Sequence, residues 1–435
     1  LAERSGWPKR LPKGWGTSVA LVDLDGSGGE EIVIGGTVLS AFKGDGTSAT
    51  SNSDGLLYDP SPSVPSNSTS PTFRGEIAAA DIDADGNIEI VGTHGDGKIY
   101  AVRENGTKVW DATCSGLAGA TLADIDKTGD SKMEVIVNSY PTGSLYVFKH
   151  DGSAFRNSNT VFHDLSSDSA AKYNFAGAAV GNLDSDNSLE LIHPSRNGTV
   201  YALNTDATSY WTRTLISGGT NFSTPVVAKF SGGTQYDVGI NATGSWWRST
   251  VLKGDDGTDR ASWDASAFPD LRFESAPVQM PAVAELNGAS GDVPEMVVLN
   301  SNDPTSGSGD PTNRAAVLYK VGSTHYRAAA LDSIPLPGRR EEAFARTVGS
   351  AVIADLEADG VKEVLAVSNQ GAVFAWEVIW STLTSSFTVK AKKGWPLVFD
   401  EQPGNVAIGN IDSDSYMELV VATDDGYIHT YDLPG

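Results

Sequence analysis

Acidic or amide residues at alternate positions, then a glutamate, then an apolar strand: this grammar returns again and again along the chain. The clearest copy is Asp81-Ile82-Asp83-Ala84-Asp85-Gly86-Asn87-Ile88-Glu89, followed by Ile90-Val91-Gly92 and then Gly97-Lys98-Ile99-Tyr100-Ala101. Three carboxylates at i, i+2 and i+4, with a glutamate at i+8, converge on one point only if the chain turns sharply. Gly86 tolerates the positive φ such a turn requires. A hard cation that takes roughly six to eight oxygens, Ca²⁺ above all, matches this donor set.

Five other stretches keep the logic with residues that still offer oxygen. Asp23, Asp25, Ser27 and Glu31 form the first, and Asp124, Asp126, Thr128, Asp130 and Glu134 form one that is two residues longer. Asn182, Asp184, Asp186 and Glu190 follow, then Asp355, Glu357, Asp359 and Glu363, and finally Asn410, Asp412, Asp414 and Glu418. Where Asn stands first, its amide is expected to supply a neutral oxygen. Two further units have decayed. In Lys229-Phe230-Ser231 to Asp237 an ammonium stands where the first carboxylate should be, so Lys229 is expected to replace the cation and no metal is expected there. Glu285, Asn287, Asp292 and Glu295 share the longer spacing with Ala289 in the place of Thr128, and the sequence leaves metal binding open. About six calcium sites are expected.

The first ligand positions fall at 23, 81, 124, 182, 229, 285, 355 and 410, a mean step of about 55 residues. A repeat of that length, built of short β-branched runs punctuated by Gly, Asn and Asp, gives several strands per unit and almost no helical period. The expected fold is therefore all-β: an eight-bladed β-propeller of four-stranded antiparallel blades spanning 1–435 as one domain. In the first unit the strands are read as Val19 to Val22, Glu31 to Ile34 and Val38 to Phe42, with the acidic loop between the first two. In the third they are Ala120 to Ala123, Val135 to Val137 and Ser144 to Phe148. Gly6-Trp7-Pro8 near the start echoes Gly394-Trp395-Pro396 before the last unit, and the last unit runs out after its third strand. The N-terminal strand, about 5–11, is expected to complete that blade, closing the ring and removing a free sheet edge.

The acidic loops, together with Asn174-Phe175-Ala176-Gly177-Ala178-Ala179-Val180-Gly181-Asn182-Leu183-Asp184, resemble the FG-GAP and VCBS class of calcium-binding repeats, related to the head propeller of integrin α subunits. The likeness covers nearly the whole chain. It implies a propeller with calcium in the loop between the first two strands, serving extracellular adhesion or carbohydrate binding. Eight units instead of the integrin seven mean that the partner does not carry over.

A formal charge of −24 and a pI near 4.5 argue against a nucleic-acid partner, whose phosphates would be repelled. The six better loops hold 21 carboxylates, so six Ca²⁺ would cancel half of that charge. One cysteine, Cys114, excludes an intrachain disulfide and leaves calcium as the expected staple. No apolar run approaches the roughly 20 residues of a membrane span, so no membrane insertion is expected. The chain opens on Leu1 without Met, as a processed secreted product or an excised segment would, and extracellular or cell-surface localisation is expected. Sequons at Asn67, Asn105, Asn197, Asn221 and Asn241 permit glycosylation.

A partner is expected on the face opposite the acidic loops. Trp246, Trp247 and Arg248 offer two aromatics and a cation that would stack on a sugar or hold a carboxylate, unless one of the tryptophans only fills the gap between blades. His94, Tyr140, Arg196 and Asn197 lie in neighbouring loops. Trp110, Trp211 and Trp263 open outer strands after polar turns and read as packing residues. The Ser-, Pro- and Gly-rich stretches 46–71 and 301–314 read as surface insertions, and Arg339-Arg340-Glu341-Glu342 as a solvated turn. No His-Glu-x-x-His, Gly-x-Ser-x-Gly or Cys-His pairing occurs, so no catalytic residue is assigned. The expected function is calcium-dependent glycan binding or adhesion to a cell-surface or extracellular protein. The alternatives are a self-assembling surface subunit and a polysaccharide lyase. A quinone-dependent dehydrogenase, suggested by Gly106-Thr107-Lys108-Val109-Trp110, is disfavoured by the acidic loops.

Overall fold

The computed structural model describes residues 1–14, 16–61, 72–73, 75–114, 118–156, 160–184, 186, 188–216, 221–243, 248–264, 280–288, 293–299, 315–321, 325–331, 350–368, 371–412 and 414–434. Trp246, Trp247, Asp292 and the stretches 301–314 and 339–342 lie outside these residues, as do the side chains of Arg248 and Trp263.

The described strands assort into eight antiparallel sheets, each following the same order, and together they make an all-β propeller of four-stranded blades. In the first sheet strands a to d are Gly16–Val22, Glu31–Gly36, Leu39–Phe42 and Leu56–Tyr58. In the second they are Ala78–Ala80, Glu89–His94, Lys98–Arg103 and Lys108–Thr113. The third (Ala120–Ala123, Glu134–Asn138, Leu145–Phe148, Val161–His163) and fourth (Ala179–Gly181, Glu190–Ser195, Thr199–Leu203, Ser209–Thr214) repeat the pattern. The fifth and seventh sheets each carry one short extra strand, Asn221–Phe222 and Leu397–Val398. Leu397–Val398, expected to link into the last unit, pairs instead with Ala372 and Val373 of the seventh.

Outside the first and last sheets strand a is three or four residues long and rich in small side chains, Ala78–Ala80 and Ala282–Ala284 being typical, and is only half-buried. Small side chains suit the position where the sheets crowd together, and consecutive a strands touch. Strand b is buried along its whole length. Its residues alternate between the two neighbouring gaps, as a two-residue period requires. Val33 joins the cluster shared with the second sheet, containing Phe73, Ile90 and Tyr100, while Ile32 and Ile34 join Val420, Ala422 and Ile428 of the last. The core is thus a set of layers between sheets. Strand d faces outward, and Lys108–Thr113 is largely exposed except for Trp110.

The last sheet joins the two ends of the chain. Lys9 pairs with Ile428 and Arg10 with Tyr427, and Glu3 bridges to Tyr431, so the N-terminal segment supplies its outer strand. Strand Gly16–Val22 packs along Pro403–Gly409 and Glu418–Thr423, bringing the first sheet against the last.

Candidate metal loops and the opposite face

Each acidic loop joins strands a and b, and several features of its geometry recur from loop to loop. Residue i+3 is left-handed in every loop where it is described: Gly26, Ala84, Lys127, Gly232, Gly288 and Ala358, with φ between 51° and 73°. Glycine at i+5 is left-handed too, Gly86 at 91° and Gly360 at 87°. The first aspartate accepts the i+5 N–H: Gly28 N to Asp23 Oδ2 is 3.0 Å, Gly86 N to Asp81 Oδ2 is 2.9 Å and Gly360 N to Asp355 Oδ2 is 2.8 Å. In the fourth and eighth loops the first-position amide reverses the direction: Asn182 and Asn410 donate to the carbonyls of Asp186 and Asp414.

The strand-b glutamate has a second role. One oxygen of Glu31, Glu89, Glu134, Glu190, Glu295, Glu363 and Glu418 accepts the backbone N–H of the residue after the first ligand position, at 2.6 to 3.1 Å. That bond ties the loop to its own strand, and Glu31, Glu134, Glu190 and Glu418 each also bring an oxygen within 4.8 Å of two aspartates. Burial pushes the Glu89, Glu134, Glu190 and Glu418 carboxyls up to about 7, with the loop aspartates adding to the effect, and raises Glu31 and Glu363 as well.

In five loops three carboxylates bring one oxygen each within 4.8 Å of one another: Asp23, Asp25, Glu31; Asp81, Asp83, Asp85; Asp124, Asp126, Glu134; Asp184, Asp186, Glu190; and Asp412, Asp414, Glu418. The donors are all oxygen, and Glu89 Oε1 and Asp23 Oδ1 are buried without a hydrogen bond. Ser27, Thr128 and Asp130 stand in the same loops, where the N–H groups of Ser27 and Thr128 bond to the preceding aspartates. This set fits a hard divalent cation.

Several loops carry a protein cation that the sequence reading did not find. Lys43 Nζ lies 2.6 Å from Asp25 Oδ2 and holds that carboxyl down at about 2. Arg103 reaches Asp85, and lies 3.5 Å from Asp83 and 3.4 Å from Glu89. Arg4 comes from the N-terminus to Asp412 at 2.7 Å, Asp432 at 2.8 Å and Glu418 at 3.4 Å. In the seventh loop Lys392 is buried 2.8 Å from Glu357 and 2.9 Å from Glu363, and Asp355, Glu357, Asp359 and Glu363 do not make a close carboxylate trio. In the fifth unit the expected substitution is made by a different residue: Lys229 sits over the Tyr236 ring, and Arg260 pairs with buried Asp237 at 2.8 Å. In the sixth loop the Asn287 amide lies 3.3 Å from the remaining oxygen of Glu295. Among the described residues, the third and fourth carboxylate trios have no arginine or lysine ion pair.

On the opposite face the outcomes differ. His94 is fully buried, packed 5.1 Å from Phe73 and 5.8 Å from Tyr100 between ring centroids, so it belongs to the core and not to a binding surface. Arg196 lies half-buried in the turn between Glu190–Ser195 and Thr199–Leu203, and neighbouring Asn197 bonds to Asp168 and Tyr201. Tyr140 packs edge-on against Tyr173 and at a tilt against Phe175, two exposed rings absent from the sequence-based ligand candidates. A non-glycine left-handed position, Tyr173, is their only trace, and it is invisible in sequence.

No family model matches the chain, and no curated protein matches it. Among solved structures it is similar to the Saccharomyces cerevisiae Sqt1 (TM-score 0.57, 11% identity, covering 100% of both chains) and to BamB from Moraxella catarrhalis (0.54, 12%, 100% of both). It is also similar to the exotype rhamnogalacturonan lyase YesX (0.50, 14%, 99% of this chain and 74% of that one). At these identities the likeness shows the propeller fold alone.

Proposed function

We propose that this chain is a calcium-binding propeller of the FG-GAP/VCBS kind, whose eight sheets are the blades of one closed ring and whose work is carbohydrate binding or adhesion outside the cell. The observation that carries the reading is the repeated loop in which three carboxylate oxygens gather within 4.8 Å over a glutamate tied to the backbone. Calcium neutralises the gathered charge and fixes the loops, and the ring so stiffened presents the opposite loops to a partner. The net charge of −24 favours neutral polymers and disfavours nucleic acid.

A glycan array in millimolar calcium, run beside an EDTA duplicate and with elemental analysis of the protein, tests this. Calcium in the protein and retention that EDTA abolishes support the reading. A metal-free protein overturns the calcium assignment, and a blank array overturns the carbohydrate assignment. Unsaturated ends absorbing in the ultraviolet would instead identify a polysaccharide lyase.

A further inference from the structure

We propose that Tyr140, Tyr173 and Phe175 form a stacking platform for a neutral carbohydrate chain, a site that rests on the carbohydrate reading above and gives it a place. Tyr140 lies between Glu134–Asn138 and Leu145–Phe148, and the other two lie in the connection from the third sheet to the fourth. Both segments leave the sheets at the end away from the acidic loops. Ring centroids of Tyr140 and Phe175 are 4.3 Å apart with planes inclined by 45°, and those of Tyr140 and Tyr173 are 5.4 Å apart at 64°, so the exposed rings offer separate faces in one cluster. Phe175 is 62% exposed and Tyr173 52%, while Asn174 and Ala176 beside them are buried.

The rings are held in this position. Tyr173 has φ of 65°, a conformation that L side chains other than Asn and Asp rarely adopt. Its N–H donates to Tyr140 O at 2.6 Å, joining the two segments. Buried amides clamp the connection on both sides: Asn174 Nδ2 donates to Pro194 O at 2.5 Å and Asn138 Nδ2 to Ala176 O at 2.8 Å. Backbone strain maintained by surrounding bonds, with the apolar product left in water, is the pattern of a site and not of a packing solution.

The chemistry selects the occupant. Flat aromatic faces accept the C–H faces of sugar rings. The same connection carries Lys172 and also Asp168, whose carboxylate accepts from Asn197, so hydrogen-bonding groups for sugar hydroxyls stand on the same segment. Tyr173 and Phe175 are the only exposed large apolar residues described in this connection. A pair of exposed rings side by side suits one or two sugar units.

Affinity electrophoresis in calcium, through gels containing xylan, galactomannan, mixed-linkage β-glucan or polygalacturonate, tests the platform. The wild-type protein is expected to be retarded by at least one neutral polymer, and Phe175→Ala to weaken that binding at least tenfold. Tyr173→Gly relieves the left-handed strain, so its Tm is expected to hold or rise while binding is lost, an opposition that a merely structural residue would not give. Retardation unchanged in both variants overturns the platform and leaves the carbohydrate reading standing. Retardation of the wild-type protein by polygalacturonate alone overturns the neutral-chain platform, and no retardation by any of the four polymers overturns both the platform and the carbohydrate reading.

Discussion

Lys392 does in the seventh loop what a metal ion would do. Its ammonium is buried 2.8 Å from Glu357 and 2.9 Å from Glu363, itself buried, with Glu377 at 3.8 Å. Removing one member of a buried ion pair leaves the other uncompensated, at a cost of about 3–5 kcal/mol. Lys392→Met is therefore expected to lose that much stability in EDTA, read by urea unfolding, and to regain a large part in millimolar calcium, which would take over the freed oxygens. A variant as stable as the wild type in EDTA would show that the ammonium does not hold this loop. The acidic residues that gather in each loop were legible in the sequence because each set lies within about a dozen consecutive positions. Their counter-charges were not. Lys392 and Arg260 arrive at or just after the outer strand of the same sheet, and Arg4 lies 408 residues from the aspartate it bonds. Lys229, adjacent in sequence, was the wrong residue to credit because its stem turns toward Tyr236. The left-handed residue at i+3 escaped notice too, since Ala84, Lys127 and Ala358 carry none of the usual signs of that conformation.

Tryptophans of the outer strands act as staples between neighbouring sheets. Trp7 Nε1 donates to Gly44 O at 3.0 Å, Trp110 to His150 O at 2.7 Å and Trp211 to Gly254 O at 2.7 Å, each time crossing to the c–d turn of the next sheet. The turn must have a glycine beneath the ring: a Cβ on Gly152 would sit 2.7 Å from Trp110, and one on Gly257 2.6 Å from Trp211. The packing role of Trp110 and Trp211 was readable from their recurrence after polar turns, as were most strand boundaries to within a residue or two. What the ring bonds to was not readable, because the acceptor belongs to the next unit. Trp110→Phe keeps most of the apolar contact and deletes the indole donor, so a loss of about 1–2 kcal/mol is expected. Trp110→Ala adds a cavity and should cost about 3–5 kcal/mol. Chemical denaturation with an unchanged m value measures both, and a Trp110→Phe variant as stable as the wild type would mean that the hydrogen bond contributes nothing beyond the ring.

Across the molecule several acidic loops are bonded to the loop of the preceding sheet. Glu30 N donates to Asn410 O at 3.0 Å, Met133 N to Ile82 O at 2.9 Å, Leu189 N to Ile125 O at 3.2 Å, and Lys362 Nζ to Glu285 O at 2.7 Å. Each bond runs from one loop to the loop of the preceding sheet, and the first closes the last sheet onto the first. The closing segment could be anticipated from the Gly-Trp-Pro echo at the two ends, but the bonds between loops could not, because they join residues one repeat apart with no sequence mark. Arg4 adds a second closure at the last trio, 2.7 Å from Asp412 and 3.4 Å from Glu418. Calcium bound in one of these joined loops would therefore stiffen its neighbour, and its removal should be felt beyond the loop that held it. With free calcium at tenfold excess over Kd, each site contributes about 1.4 kcal/mol, so five sites contribute about 7 kcal/mol. Set against an unfolding entropy of about 0.9 kcal/mol/K for a chain of this length, EDTA should lower Tm by roughly 8 °C. Scanning calorimetry with and without chelator measures the shift. A single transition that moves as one supports a ring coupled through its loops, a transition that splits would mean that sheets lose calcium independently, and an unmoved Tm would remove calcium from the account of this fold.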